Sequence, residues 1–87
     1  MSEHRFKIRA LNSSLNDTYY SSIEALKIAL SDDSLKAKSI SIEYKSKYGL
    51  KGVEFISISC QGIVTETYKT ETLYSFEKLD SLASGYY

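Results

Sequence analysis

Few side chains in this chain of 87 residues could act as a nucleophile or a base: there is one histidine, His4, and one cysteine, Cys60. Nucleophilic catalysis needs a nucleophile, a base and a group that orients the base. A Cys60–His4 pair would form only if the first and third predicted strands were neighbours. We expect Cys60 to be a small buried thiol instead. A single cysteine also excludes an intramolecular disulfide and indicates a reducing compartment.

Adjacent carboxylates are the second feature that could do chemistry. Asp32 and Asp33 could act as acid and base or bind a metal ion, but consecutive acids after a helix are more typical of a solvated helix end. The sequence has no zinc-type spacing of cysteine and histidine and no calcium-binding loop. Gly49 and Gly52 are too closely spaced for a phosphate-binding loop. The sequence therefore predicts no enzyme, no metal site and no cofactor.

The charges are unevenly distributed although eleven basic and eleven acidic residues give a formal net charge of zero. Residues 1–15 sum to +2 and residues 36–52 to +4, whereas residues 16–35 and 53–87 each sum to −3. A zero net charge excludes a histone-like condenser and a highly acidic DNA mimic. The uneven distribution still predicts a local basic patch.

Hydrophobic periodicity predicts the elements that must position these charges. The predicted order is β-α-β-β-β-α, with strands near residues 5–10, 38–47, 53–60 and 63–70 and helices near residues 21–31 and 73–85. We therefore predict an α+β two-layer sandwich, in which two helices cover one face of an antiparallel four-stranded sheet. The whole chain, residues 1–87, is expected to form this single domain.

Three local patterns refine this prediction. Ser21 and Glu24 have the spacing of a capping box, with Ser21 as the N-cap of the first helix. Gly49 and Gly52 are expected to supply positive φ angles in a hairpin between the second and third strands. In the third strand the apolar alternation changes phase after Phe55, which predicts either a β-bulge or a central strand covered on both faces.

From Tyr19 onward, the predicted order α-β-β-β-α is similar to that of a double-stranded-RNA-binding domain. That family carries a lysine cluster at the start of its last helix, where it contacts phosphates. The corresponding stretch here, residues 70–74, has the sequence Thr-Glu-Thr-Leu-Tyr, which is acidic and lacks lysine. The similarity is therefore one of topology, and membership of that family is not predicted.

The candidate contact surface combines the two basic segments. Strand alternation places Arg5, Lys7 and Arg9 on the side of the sheet away from the helices. If the first two predicted strands are neighbours, these cations gather beside the lysines of the hairpin and the aromatic and aliphatic side chains at its tip. Edge lysines also protect a sheet from aggregation without any partner. The predicted partner-binding residues are Arg5, Lys7, Arg9, Lys45, Lys47, Tyr48, Leu50 and Lys51.

Three classes of function remain open. The first is a small binding protein that inhibits or regulates another protein, of the kind that phages and other mobile elements direct at host defence proteins. The second is an RNA- or DNA-binding module that uses the basic sheet face. The third is a self-assembling subunit, such as a homodimer, joined through an edge strand and some of the eight tyrosines.

The apolar segments predict where the protein is located. The longest uninterrupted apolar run, residues 28–30, is too short to cross a bilayer. The N-terminal residues are charged where a signal peptide is apolar, and the last residues have no lipidation motif. We therefore expect a cytoplasmic protein without a membrane partner.

Overall fold

The structure is a computed structural model that describes residues 5–46, 49, 51–67 and 72–84. Within these residues the chain forms five strands, two α-helices and one 3-10 turn, Asp33–Leu35. The strands and helices are β1 (Phe6–Arg9), β2 (Thr18–Tyr20), α1 (Ile23–Leu30), β3 (Lys38–Lys45), β4 (Lys51–Ile58), β5 (Val64–Glu66) and α2 (Phe76–Ser84). No helix in the described ranges is long and apolar enough to span a membrane.

The five strands form one antiparallel sheet in the order β2-β1-β3-β4-β5. The predicted α+β class, the antiparallel sheet and the two helices are confirmed. The predicted strand number is one too low, because Thr18–Tyr20 pairs with β1 as an edge strand. Three residues are too few for an alternation pattern to be recognised. In the turn before this strand, Asn12 and Asp17 adopt left-handed backbone conformations, which asparagine and aspartate tolerate.

The hydrophobic core lies between one face of the sheet and both helices. Alternate residues of β1, β3 and β4 are buried there, and Ile8, Ile42 and Ile56 are fully inaccessible. Leu26 of α1 and Leu79 of α2 belong to the same cluster. Burial of apolar surface, at about 25 cal/mol per Å², is the main favourable term in folding. The buried residues of these strands thus lie on one face of the sheet, the face that both helices cover.

Helix α1 begins one residue later than the capping pattern predicts. Ser22 is the N-cap, and its hydroxyl oxygen accepts a hydrogen bond from the Ala25 amide at 3.2 Å. The predicted capping box is therefore wrong, because Glu24 is the second residue of the helix and not the third. Two adjacent serines offer the same chemistry in the sequence, and the structure places the cap at the second of them.

The acidic pair that follows α1 begins the 3-10 turn. The Asp32 carboxylate accepts hydrogen bonds from the hydroxyl and from the amide of Ser34. These two bonds, the hydroxyl first, lower the pKa of Asp32. Asp33 is exposed and pairs with Lys36 at 2.9 Å. Both carboxylates therefore have local partners at the end of the helix.

The two glycines near the hairpin have different roles. Gly49 has a φ of 84°, as the turn prediction expects. Gly52 lies within β4 opposite Tyr44 and has no positive φ, so the prediction for this glycine is wrong. A Cβ atom at position 52 would overlap the Tyr44 ring. Gly52 therefore allows an aromatic ring to lie across the neighbouring strand.

Helix α2 begins at Phe76, later than its apolar spacing predicts. Leu73 is 70% exposed and forms an isolated bridge with Thr65 of β5. Tyr74 is buried instead, with its ring edge-on to Phe76 at 5.0 Å. Residues 72–75 lie beside β5 and are not helical, so the three-residue spacing of Leu73 and Phe76 is not that of a helix. The expected helix stop, Gly85, lies outside the described residues.

Candidate functional site

The side of the sheet away from the helices is the candidate functional surface, which we call the open face. Strand pairing places its residues beside one another across four strands. A groove of about 970 Å³ runs along it, and Leu11, 80% exposed, stands at the rim. The open face consists of Lys7, Arg9, Tyr19, Ser39, Ser41, Glu43, Lys45, Lys51, Val53, Phe55 and Ser57.

Val53 and Phe55 form the apolar centre of the open face. Their exposed fractions are 46% and 47%, whereas Ile56 and Ile58 are buried on the helix side. Pairing with β3 is continuous through this region, so the phase change contains no bulge. The alternative prediction, a strand covered on both faces, is also wrong, because only the helix side is covered. The phase change is the sequence signal for Val53 and Phe55, which are not among the residues predicted to bind a partner.

The cations of β1 are paired with two carboxylates. Strands β1 and β3 are neighbours, which is the condition that the predicted basic patch required. Arg9 lies 3.2 Å from Asp17 and 3.2 Å from Glu43, and Lys7 lies 3.4 Å from Asp17. Exposed ion pairs contribute about 0–1 kcal/mol each. These ion pairs neutralise part of the positive charge of the predicted patch, which the net charge of each sequence segment did not reveal.

Tyr19 extends the open face at its β2 edge. The Lys7 ammonium lies 5.3 Å from the centre of the Tyr19 ring, within the range of a cation–π interaction. A hydrogen bond with Tyr19 and the charge of Asp17 raise the pKa of Lys7. The Tyr19 residue is 54% exposed, so one ring and one cation are presented together.

Arg5 departs from the predicted surface. Its guanidinium donates hydrogen bonds to the Asp80 carboxylate of α2 at 3.2 Å and to the Asp80 carbonyl at 3.3 Å. It also lies 5.4 Å from the centre of the Phe6 ring. The predicted direction of the Arg5 side chain, away from the helices, is therefore wrong for its guanidinium, although the residue also lines a hollow on the open face. The residue precedes β1, where its side chain reaches around the end of the sheet.

Lys45 and Lys51 lie at the hairpin end of the open face. They are direct partners across β3 and β4, and both are exposed. Among the residues that the structure describes, no carboxylate forms an ion pair with either lysine. The other predicted hairpin contacts, at positions 47, 48 and 50, lie outside the described residues and stay predictions.

Cys60 lies in the turn that follows β4. It is an exposed free cysteine, so the expected burial of its thiol is wrong. The strand ends at Ile58, before the chain would return a side chain to the core. Strand β3 separates β1 from β4, so the two strands that a Cys60–His4 pair requires are not neighbours. Within the described ranges, no group of three or more His, Cys, Asp or Glu side chains could hold a metal ion.

Tyr74, on the helix side of the sheet, is a buried titratable group near two carboxylates. Its hydroxyl is inaccessible and has no hydrogen-bond partner in the part of the chain that the structure describes. Burial, followed by the negative charges of Glu54 and Glu66, raises the pKa of Tyr74. A general base works best with a pKa near the operating pH, so this phenol is unsuited to that role.

We expect Tyr74→Phe to raise the free energy of unfolding by about 1 kcal/mol at neutral pH, because a buried unsatisfied hydroxyl costs about 1–3 kcal/mol. Because the pKa of Tyr74 is raised in the folded protein, folding keeps this phenol neutral. The native protein should therefore lose stability as the pH rises past the unfolded-state pKa of about 10, and the variant should lose less.

Urea denaturation at neutral and alkaline pH measures both effects. Tyr20→Phe is the matched control, because the Tyr20 hydroxyl has a hydrogen-bond partner, Thr18 Oγ1, at 2.8 Å. That variant should lose about 1 kcal/mol. A similar loss in Tyr74→Phe at neutral pH would show that the Tyr74 hydroxyl is favourably bonded.

No known family model matches this chain, and no curated protein or solved structure matches it either.

Proposed function

We propose that this protein is a small non-catalytic binding protein that inhibits or regulates a partner protein by occupying a surface on it. The observation that carries this proposal is the apolar centre, Val53 and Phe55, half-exposed in the groove of the open face. Protein interfaces typically have such a centre, surrounded by a polar rim. The ion pairs of Arg9 with Asp17 and Glu43 supply a rim of this kind.

A nucleic-acid partner is the second candidate, because an exposed aromatic ring beside cations can stack on a base. Phe55 and the Lys45–Lys51 pair favour it. The apolar centre of the open face favours a protein instead, since the half-exposed aliphatic side chain of Val53 offers a nucleotide neither a charge nor a ring. Binding to nucleic acid also depends on uncompensated cations, and Lys7 and Arg9 already have carboxylate partners.

Self-assembly through sheet edges is less well supported. Thr72 and Tyr74 hydrogen-bond to β5 on its outer side, from Glu66 N to Thr72 O at 2.9 Å and from Tyr74 N to Val64 O at 3.1 Å. The other edge strand, β2, has only three residues. Short or covered edges disfavour edge-to-edge pairing.

The proposal is tested by affinity capture from the native source with Phe55→Ser and a matched control, Ile28→Ser. Ile28 is 74% exposed on α1, in the opposite layer of the fold. We expect Phe55→Ser to weaken capture at least tenfold, since central aromatic residues commonly contribute about 2 kcal/mol or more to binding. Ile28→Ser should capture the partner as strongly as the native protein does.

Both variants alter exposed side chains, so thermal melting should show that each keeps its fold. Full-strength capture by Phe55→Ser would refute the proposed use of the open face. The same assay with Tyr48→Ala and Leu50→Ala tests the hairpin contacts that the sequence predicts.

A further inference from the structure

Two lysines of like charge face each other at the hairpin end of the open face. Lys45 and Lys51 are a direct cross-strand pair, and both side chains are exposed. Like charges placed directly opposite in a sheet destabilise it. No acid within the described residues forms an ion pair with either of them. A bound anion would relieve their repulsion.

A second hollow, of about 370 Å³, lies beside this pair. Lys7 and Tyr19 form its opposite wall, and Gly52 and Val53 also line it. Lys7 and Arg5, its other cations, already have Asp17 and Asp80 as partners. Glu43, the one carboxylate among the described residues that line this hollow, forms an ion pair with Arg9. Among the described residues, the positive charge on the Lys45–Lys51 side of the hollow therefore has no carboxylate partner.

The charged hollow is continuous with the apolar centre. Val53 lines both the hollow and the groove that contains Phe55. Lys51 and Val53 are two residues apart on the same side of β4, which corresponds to about 7 Å along a strand. A partner segment could therefore place one carboxylate on the lysine pair and, at this separation, one apolar side chain on the apolar centre.

We infer that the partner contributes an acidic segment, in which a carboxylate lies between Lys45 and Lys51 and an apolar side chain two residues away packs on Val53 and Phe55. This inference rests on the proposed protein-binding function and names the chemistry of the partner. Charge-assisted hydrogen bonds from two ammonium groups favour a carboxylate. Exposed ion pairs are individually weak, so the two lysines together should change affinity about tenfold at low salt.

The test uses two labelled peptides that differ only in charge, Ac-Ser-Glu-Ser-Phe-Ser-Glu-Ser-NH2 and the same peptide with glutamine for glutamate. Fluorescence anisotropy and amide chemical shifts would measure their binding to the full chain. We expect the glutamate peptide to bind about tenfold more tightly at low salt and to shift the amides of Gly52 and Val53. Added salt should reduce the difference.

Lys45→Gln/Lys51→Gln should abolish the preference for the glutamate peptide. Lys27→Gln/Lys36→Gln is the matched control, because it removes two charges from residues outside the open face and should preserve the preference. Equal affinity of the two peptides, no detectable binding of the glutamate peptide, or an equal loss in the control variant would overturn the inference. Tighter binding of a single-stranded oligothymidylate through the same two lysines would also overturn it, in favour of nucleic acid.

The two proposals fail separately. If Phe55→Ser loses capture of the native partner while the two peptides bind equally, the open face is an interface but its partner is not acidic. If Phe55→Ser keeps full capture, the proposed function itself is wrong.

Discussion

Leu79→Ala is expected to lower the free energy of unfolding by about 3 kcal/mol, the largest effect that we predict for a single substitution. Leu79 is fully inaccessible and, with the smaller Ala83, is one of two described residues of α2 buried in the shared core. Removing a buried leucine side chain loses its transfer free energy and leaves a cavity, at a cost of about 2–5 kcal/mol. For a chain of this size, that is a large fraction of a total stability of about 5–15 kcal/mol.

Leu73→Ala is the matched control for this prediction. Leu73 and Leu79 belong to the same three-residue apolar spacing in the sequence, but Leu73 is 70% exposed. Its substitution should change the free energy of unfolding by less than about 0.5 kcal/mol. Urea denaturation followed by circular dichroism measures both. Equal losses would show that the last helix begins earlier and buries Leu73.

Gly52→Ala should lower the free energy of unfolding by about 2 kcal/mol. Glycine to alanine in a strand is normally neutral or stabilising, because the unfolded chain loses entropy. At this position the new Cβ would overlap the Tyr44 ring. Tyr44 also packs against the core from the helix side, so its ring cannot move away without disturbing that packing. Overpacking of this kind costs about 1–3 kcal/mol.

Gly49→Ala separates this steric cost from a backbone cost. Gly49 has a φ of 84° and open space around its Cα, so alanine there meets only conformational strain, of about 1 kcal/mol. In the Tyr44→Ala background, Gly52→Ala should cost much less stability than it costs in the native chain, because the overlapping ring is gone. A double-mutant cycle measures this difference. Additive effects of the two substitutions would contradict the overlap.

The net charge of each sequence segment predicts only part of the charge distribution on the surface. The sequence places cations on β1 and β3, and the structure shows that these strands are neighbours. The compensating carboxylates come from two different segments, Asp17 in the turn before β2 and Glu43 on β3. A residue count cannot show this pairing, because it depends on strand order and on the turn that returns Asp17 to β1.

Local patterns predicted the parts of the fold that depend on nearby residues. Alternation in β1 and β3 identified the buried Ile8 and Ile42, since successive side chains of a strand point to opposite faces. Helical spacing identified Leu26 and Leu79. The same spacing predicts a helical Leu73, which is wrong because a chain segment that lies beside β5 can have the apolar spacing of one helical turn.

The sequence by itself determined the α+β class, the antiparallel sheet and most of the core, because periodicity of apolar residues is a local property. Only the tertiary structure decided which residues are exposed on the second face of the sheet. Val53 and Phe55 are residue types typical of a buried strand. They are exposed because both helices pack on the other side of the sheet. The register likewise makes Lys45 and Lys51 partners across the two strands, and no described carboxylate forms an ion pair with them, because Glu43 pairs with Arg9.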